Sequence, residues 1–414
     1  MADLDWIEAA LASARPRGVA ALLRYFRDID LAEEAYQEAC LRALARWPEQ
    51  GPPRDPAAWL ILVGRNSGID AVRKTAREDA LPPDDQLSDL EDAEGALADR
   101  LDQGRYRDDI LRLLFVCCHP DLPATGAIAL ALRIVSGLTV AQIAHAFLVG
   151  EKAMEQRITR AKARIAEAGV PFETPGAIER AERLGTVAAM VYLIFNEGYS
   201  ASAAEADARE PLCREAIRLG RLLLRLFPGE PEIGGLVALM LLQHARSEAR
   251  LDQHGAVILL DDQDRARWDP QSIAEGLALL DKAMRHNRPG PYQIQAAIAA
   301  LHARARTAAD TDWAQIERLY ATLERLEPSP VVTLNRAVAV QKISGAEAAL
   351  KLLSPLGERL DSYFYYHGAR GAFLDQLGRA DEAREAFARA IGLAGSAAEA
   401  AYIRQQLDRL SAMK

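Results

Sequence analysis

Hydrophobic side chains in the first eighty residues recur at steps of three and four, the period of an amphipathic helix. From Leu31 to Trp47 the pattern predicts one helix, with Asp30 as its N-cap and Glu33 at the third helical position. A break from Pro48 to Pro56 separates it from a second helix, expected over 56–77. The predicted inward positions are Leu31, Ala35, Ala39, Ala43, Leu44 and Trp47 in the first helix, and Trp59, Leu60, Val63, Ile69 and Val72 in the second.

The polar positions of these two helices form faces that point away from the predicted core. In the first helix they are Glu33, Glu34, Gln37, Glu38 and Arg42, and in the second Arg65, Arg73, Lys74 and Arg77. Glu38 and Arg42 are four residues apart, a spacing that stabilises a helix through its own ion pair.

The segment 109–168 reads as several short helices that end in a helix-turn-helix. Thr139 and Gln142 are spaced as a capping box, and Val149-Gly150 supplies the turn. The second helix of the pair, from Glu151 to Glu167, has a buried stripe of Met154, Ile158, Ala161 and Ile165. It carries five basic and three acidic residues, and Lys152, Gln156, Arg157, Arg160 and Arg164 lie off the stripe. A solvated face on an ordinary helical hairpin is the alternative interpretation.

An internal period of 34 residues occurs near the C-terminus. Each member of one set is followed 34 residues later by its counterpart: Ala337, Val340, Ser344, Ala349 and Leu353, then Gly371, Leu374, Gly378, Ala383 and Phe387. This is the tetratricopeptide period, and stacked hairpins of that kind leave a groove. A protein or a small molecule could occupy this groove.

Composition and charge narrow the fold classes and the cellular locations that fit this chain. The chain has 414 residues, of which 50% are hydrophobic and only 6% aromatic, which favours an all-α fold. No apolar run reaches the roughly 18 residues of a membrane span, so we expect a cytoplasmic protein without a membrane contact. The formal net charge of −9 lies in one stretch, because Glu78 to Asp109 contains twelve acidic and three basic residues. With Pro82-Pro83 inside it, this stretch reads as an acidic linker over 81–107.

Residue types that carry catalysis or bind metals are sparse. The four cysteines make no disulfide framework, and Cys117-Cys118-His119 lacks a second ligand pair at zinc spacing. Asp261, Asp262 and Asp264 with Glu197 could hold a cation, but no phosphate loop, nucleophile elbow or histidine pair accompanies them. We therefore expect no cofactor, no metal and no enzymatic activity.

Two separated segments resemble the same family. Residues 30–39 (DLAEEAYQEA), 58–60 (AWL) and 64–74 (GRNSGIDAVRK) resemble region two of bacterial sigma factors of the extracytoplasmic-function group. Residues 137–163 resemble region four of those proteins, and the remainder is similar to the long C-terminal extension of one subgroup. The resemblance predicts a region two domain over 1–80, the linker over 81–107 and a region four domain over 108–170. A helical extension with tetratricopeptide-like repeats, clearest over 330–410, would cover 175–414.

The resemblance implies two partners, core RNA polymerase and promoter DNA. Polymerase, through its β′ coiled coil, would contact Glu34, Gln37, Glu38 and Arg42. The minus-ten element would be opened at Trp47, Trp59, Arg65, Asn66, Arg73 and Lys74, and the minus-thirty-five element read by Lys152, Gln156, Arg157, Arg160 and Arg164. The two tryptophans could equally be core residues. The sequence departs from the family pattern at Ser67-Gly68, where a basic residue and alanine are usual, and at Gly150, often serine or proline.

These observations favour a sigma factor regulated through its C-terminal extension. A tetratricopeptide-type interaction protein, or a DNA-binding regulator that does not engage polymerase, is the alternative.

Overall fold

The computed structural model describes residues 5–51, 53–76, 109, 113–119, 121–147, 149–168, 177–199, 206–252, 258–394 and 397–412. These residues contain helices and loops and no β-strand, which confirms the all-α prediction. The chain forms two compact units, an N-terminal unit over 1–194 and a C-terminal unit over 195–414. The acidic linker predicted over 81–107 lies outside the described residues, and the bounds predicted for the four parts stay predictions.

Three long helices open the N-terminal unit: α1 (Asp5–Phe26), α2 (Ile29–Gln50) and α3 (Pro56–Ala76). Each packs on the other two. The bounds of α3 agree with the sequence prediction, and Asp55 caps it by accepting hydrogen bonds from the amides of Ala57 and Ala58 at 3.0 and 3.1 Å.

The start and end of α2 differ from the prediction. Its N-cap is Asp28, whose carboxylate accepts from the amides of Asp30 and Leu31, so the predicted cap at Asp30 is wrong. Pro48 lies inside the helix, which continues to Gln50 and ends at Gly51 with φ of 79°. A proline in the last turn removes a single backbone hydrogen bond, which a long, well-packed helix tolerates.

The buried face of α2 is also rotated from the predicted one. Ala35, Ala39, Ala43 and Trp47 are buried as expected, whereas Leu44 is 50% exposed and Glu33 is buried. The reason is close approach by small residues: a Cβ on Gly64 of α3 would lie 2.9 Å from the Ala35 carbonyl oxygen. Helices this close are held by alanine and glycine, and the bulkier Leu44 points outward.

Among the described residues, the second half of the N-terminal unit includes α4 (Ala124–Ala131), a π-helical turn (Leu132–Ser136), α5 (Val140–Ala146), α6 (Glu151–Ala168) and α7 (Ala177–Tyr199), which runs past the boundary at residue 194. The capping box between Thr139 and Gln142 is confirmed in both directions. The four residues predicted as the buried stripe of α6 are buried. Both α4 and α5 pack against α6.

The C-terminal unit is a succession of helices that mostly pack on their neighbours in sequence. They are α8 (Ala206–Leu226), α9 (Pro231–His244), α10 (Pro270–Met284), α11 (Pro291–Arg304), α12 (Trp313–Leu326), α13 (Pro330–Ser344), α14 (Ala346–Leu353), α15 (Phe364–Gln376), α16 (Ala380–Leu393) and α17 (Ala397–Ala412).

The 34-residue period coincides with helical hairpins. In the second copy, a Cβ on Gly371 would lie 2.6 Å from the Phe387 ring, so this glycine allows α15 and α16 to pack closely. The turns of the two copies are made by Gly345 and Gly378, with φ of 83° and 72°. Ser344, which the 34-residue spacing pairs with Gly378, is the last residue of α13.

Candidate protein and nucleic-acid interfaces

The outer face of α2 holds the residues predicted to bind polymerase. Glu34 and Gln37 are exposed, and Glu38 and Arg42 are partly exposed and form an ion pair at 3.0 Å. Leu41 and Leu44 share this face and are 63% and 50% exposed. Two exposed leucines bordered by charged side chains are typical of a surface that docks another helix.

The leucines are functional candidates that the sequence analysis missed. Leu44 was predicted to be buried, and Leu41 was not singled out. The available signal was their spacing: Leu41 lies four residues after Gln37 and three before Leu44, on one helical face.

The structure places the two candidate tryptophans of the minus-ten site in the core. Trp47 is 2% exposed and Trp59 is 8% exposed. The Trp47 ring stacks on Trp6 with centroids 6.0 Å apart and meets Trp59 edge-on at 5.4 Å. This arrangement fits the alternative interpretation of both residues as packing residues of the three-helix domain.

Arg65 and Asn66 of α3 are partly exposed, near the C-terminal end of α1. The Arg65 guanidinium lies over the ring of Tyr25, 5.7 Å from its centroid, and Tyr25 is 52% exposed. A cation beside an exposed aromatic ring is suited to an unpaired nucleic-acid strand, which offers phosphates and base faces. The sequence analysis did not identify Tyr25, and the side chains of Arg73 and Lys74 lie outside the described residues.

The departure from the family pattern at Gly68 has a structural reason. Gly68 is buried against α1, and a Cβ at this position would lie 2.4 Å from Cζ of Phe26. An alanine there would collide with the ring, so this chain needs glycine where the family usually has alanine.

The exposed face of α6 carries the predicted minus-thirty-five residues. Lys152, Gln156, Arg160 and Arg164 are exposed and Arg157 is partly exposed. Four of the five, all except Lys152, line a groove between α6 and the start of α4, where Arg164 donates to the Asp121 carbonyl at 3.1 Å. With 18 residues α6 is about 27 Å long, and a helix of this kind fits the major groove of DNA.

Two of the carboxylates that could have held a cation make contacts within the C-terminal unit. Asp261 pairs with Lys342 at 2.6 Å, and Asp264 caps the turn at Ala266. Arg265, next to Asp264 in the sequence, donates to the backbone carbonyls of His302 and Ala305. No group of three or more potential metal ligands occurs in the part of the chain that the structure describes.

The buried cysteines are unreactive thiols. Burial raises the pKa of Cys118 and of Cys213 to about 12, which keeps both sulfurs protonated at neutral pH.

The helices were also compared with the requirements for crossing a membrane. Among the described helices, none combines the length and the apolar character that crossing a membrane requires.

Comparison with known proteins assigns the class of the first domain. Residues 11–78 match the family Sigma-70 region 2, and this segment covers most of α1, all of α2 and all of α3. The first domain of the chain is thus similar to region 2 of sigma-70 factors, a class of protein that interacts with core RNA polymerase and promoter DNA.

Two further matches concern the rest of the chain. Residues 183–284 match a family described as Family of unknown function (DUF6596). An uncharacterized protein of Rhizobium meliloti (strain 1021) is 69% identical over 412 residues, an alignment that spans 100% of this chain and 97% of the relative. The chain belongs to the same family as that protein.

Proposed function

We propose that this chain is a non-enzymatic, dissociable sigma factor of the extracytoplasmic-function group, acting in the cytoplasm. It binds the β′ coiled coil of core RNA polymerase and directs promoter recognition and opening. The observation that carries the proposal is the outer face of α2, where Gln37 and Leu41 are exposed and Glu38 is partly exposed within a region 2 domain. A helical partner such as a coiled coil matches a helix face of this composition.

Promoter recognition is divided between two sites. Arg65 and Tyr25 at the α1–α3 end are suited to a single strand of the opened minus-ten element. The basic face of α6, with Arg157 and Arg160 at its centre, reads the minus-thirty-five element in the major groove. The capping box at Thr139 and the turn at Val149-Gly150 give α5 and α6 the connection of a helix-turn-helix.

The C-terminal unit regulates the first two domains. Its tetratricopeptide-like hairpins provide the groove in which a protein or small-molecule ligand binds, and that ligand biases the activity of the N-terminal unit. Support comes from the close packing of α15 and α16 at Gly371 and Phe387 and from the 34-residue period.

Run-off transcription with core polymerase and a mapped promoter tests the proposal on the full chain. Gln37→Ala with Glu38→Ala should reduce capture of core polymerase without unfolding the protein, because both side chains lie outside the core. The control is Glu49→Ala, an exposed acid near the end of the same helix. Capture equal to the wild type would favour the DNA-binding regulator that does not engage polymerase.

Binding to promoter DNA tests the role of α6. Arg157→Ala and Arg160→Ala should each cost about 1–3 kcal/mol where a base contact is lost, with relaxed specificity at one position. Arg225→Ala, at an exposed arginine of the C-terminal unit, serves as the control. Unchanged DNA binding in both α6 variants would remove this helix from the promoter interface.

A further inference from the structure

Glu33 of α2 is a buried carboxylate held by cations from three other segments. Its side chain is 6% exposed, although a glutamate on an outward polar position would be solvated. Its Oε1 lies 3.0 Å from Nε of Arg133 in the π-helical turn and 3.4 Å from Nη2 of Arg15 in α1. Its Oε2 lies 3.0 Å from Nζ of Lys162 in α6, which also donates to Asp30 at 2.6 Å. These five residues are called the Glu33 cluster.

The Glu33 cluster is specific rather than a chance surface contact. A carboxylate removed from water is destabilising unless it is paired and hydrogen-bonded, and here three cationic side chains pair with it. Burial alone would lower the pKa of Lys162, but the hydrogen bond that Lys162 donates to Asp30 and the charge of Glu33 outweigh it and raise that pKa. Lys162 is thereby fixed in its charged form, facing α2.

Neighbouring contacts join the same two surfaces. Arg15 donates to the carbonyls of Ile134 and Arg133, each at 3.1 Å. Gly137, with φ of 77°, brings the backbone so close that a Cβ would lie 2.6 Å from Cδ of Arg15. Arg24 at the end of α1 pairs with the buried Asp109 at 2.8 Å. The α1–α3 domain and the α4–α6 domain therefore form one packed arrangement, called the closed state.

The closed state conflicts with simultaneous binding of both promoter elements, an argument that rests on the proposed function. Elements at minus ten and minus thirty-five are about 25 base pairs apart, or about 85 Å at about 3.4 Å per base pair. The 22-residue α2 is about 33 Å long, and a 2.6 Å hydrogen bond joins its first turn to α6. Both domains can reach their elements only after this hydrogen bond breaks.

We propose that the Glu33 cluster is an electrostatic latch that holds the free protein in the closed state and opens when polymerase and promoter bind. Two features connect it to the binding surfaces. Gln37, on the polymerase face, donates to Oε1 of Glu33 at 3.3 Å, so a partner that engages Gln37 perturbs the latch. Lys162 lies on the DNA-reading helix, where opening exchanges its carboxylate partners for DNA phosphates.

Zero-length carbodiimide crosslinking with mass spectrometry tests the latch on the full-length chain. This reagent joins an amine to a carboxylate in direct contact, and Asp30 is accessible to it at 65% exposure. We expect a Lys162–Asp30 crosslink in the free protein and its loss, by about tenfold or more, in the complex with core polymerase and promoter DNA. The Lys342–Asp261 pair has the same 2.6 Å separation in the C-terminal unit and is the internal control, with unchanged yield.

Glu33→Gln supplies the perturbation. Removing the buried charge should lower the Lys162–Asp30 yield in the free chain by about tenfold, equivalent to about 1.4 kcal/mol. It should also strengthen capture of core polymerase, because an opening step no longer opposes binding. Lys162→Gln, at the more accessible edge of the cluster, should strengthen capture likewise if Glu33→Gln does not fold.

The outcomes separate the latch from the proposed function. Absence of the crosslink from the free wild-type chain, or an unchanged yield in the promoter complex, would overturn the latch. Capture of polymerase that neither variant improves would overturn it as well. Failure of the wild-type chain to bind core polymerase would refute the sigma function, and the free-chain comparison of wild type with Glu33→Gln would still decide whether Glu33 holds the domains together.

Discussion

Gly68→Ala is expected to destabilise the protein although alanine is the better helix former. Alanine in a helix interior gains about 1 kcal/mol over glycine. Against this gain, the added Cβ would lie 2.4, 2.9 and 3.1 Å from three carbons of the Phe26 ring. Carbon atoms prefer separations of roughly 3.5–4.0 Å, so the ring or α3 must move by about 1 Å. Overpacking of this size costs about 1–3 kcal/mol, which leaves a net loss of about 0–2 kcal/mol.

Gly185→Ala provides the matched control. Gly185 lies in the helix α7, is exposed, and a Cβ there would meet no atom within 4 Å. The free energy of unfolding of the Gly185→Ala control should therefore rise by up to about 1 kcal/mol. The changes in unfolding free energy that the two substitutions cause should differ in sign or differ by about 1–3 kcal/mol.

Urea unfolding followed by tryptophan fluorescence and circular dichroism measures both variants. Three of the five tryptophans, Trp6, Trp47 and Trp59, lie in the α1–α3 domain and report on it. Phe26→Leu combined with Gly68→Ala should recover most of the loss, because the smaller side chain vacates the position of the Cβ. A stabilised Gly68→Ala variant, or no recovery in the double variant, would refute the packing argument.

Three further predictions concern the exposed leucines of α2, the buried His302 of the C-terminal unit and the regulatory role proposed for that unit. Leu41→Ser with Leu44→Ser should weaken capture of core polymerase. The free energy of unfolding of the α1–α3 domain, measured in urea, should stay within about 0.5 kcal/mol of the wild type, since both leucines are at least half exposed; a much lower value would show that they belong to the core. Burial, with the charges of Arg246 and Arg265, lowers the pKa of His302 to about 4, so the unfolded state takes up a proton first as the pH falls below about 6.5. Between pH 7 and pH 5 the wild type should lose on the order of 2 kcal/mol of its free energy of unfolding through His302, and His302→Gln should remove this loss. Urea titrations of both proteins measure the difference, and parallel plots of unfolding free energy against pH would contradict the prediction. Deletion of 175–414 should change run-off transcription at equal protein level, and identical transcription by both forms under all conditions would mean that the extension is not regulatory.

Local rules predicted much of the helical framework. The bounds of α3, the capping box at Thr139 and the buried stripe of α6 each depend on residues within a few positions of one another, so the sequence pattern contains the needed information. The rotation of α2 could not be predicted from neighbouring positions in this way. It depends on Gly64 of another helix, which lets Ala35 approach more closely than a leucine could. The pattern of one helix cannot show which of two overlapping apolar faces packs against the smaller side chains of another helix.

The candidate site was predictable to a similar degree. Exposure of Gln37, Arg160 and Arg164 followed from their distance from the apolar stripe, whereas Trp47 and Trp59 were ambiguous because an indole serves a core and a base pocket equally well. Glu33 shows the limit most clearly. Its acidity and its place beside Glu34 predict a solvated side chain, and its partner Lys162 is 129 residues away.

Glu33 also links the closed state to the distribution of basic side chains in the N-terminal unit. The three cations around it come from the α1–α3 domain and the α4–α6 domain, and Lys162 belongs to the same helix as the arginines proposed to read DNA. A carboxylate that satisfies them in the free protein offers the same chemistry that DNA phosphates offer on a promoter, so the two states compete for one set of donors. Because raised salt weakens phosphate contacts more than buried pairs, the balance should shift toward the closed state as ionic strength rises. The Lys162–Asp30 crosslink measured in the presence of promoter DNA should then increase with salt, and a yield independent of salt would mean that DNA and Glu33 do not compete for Lys162.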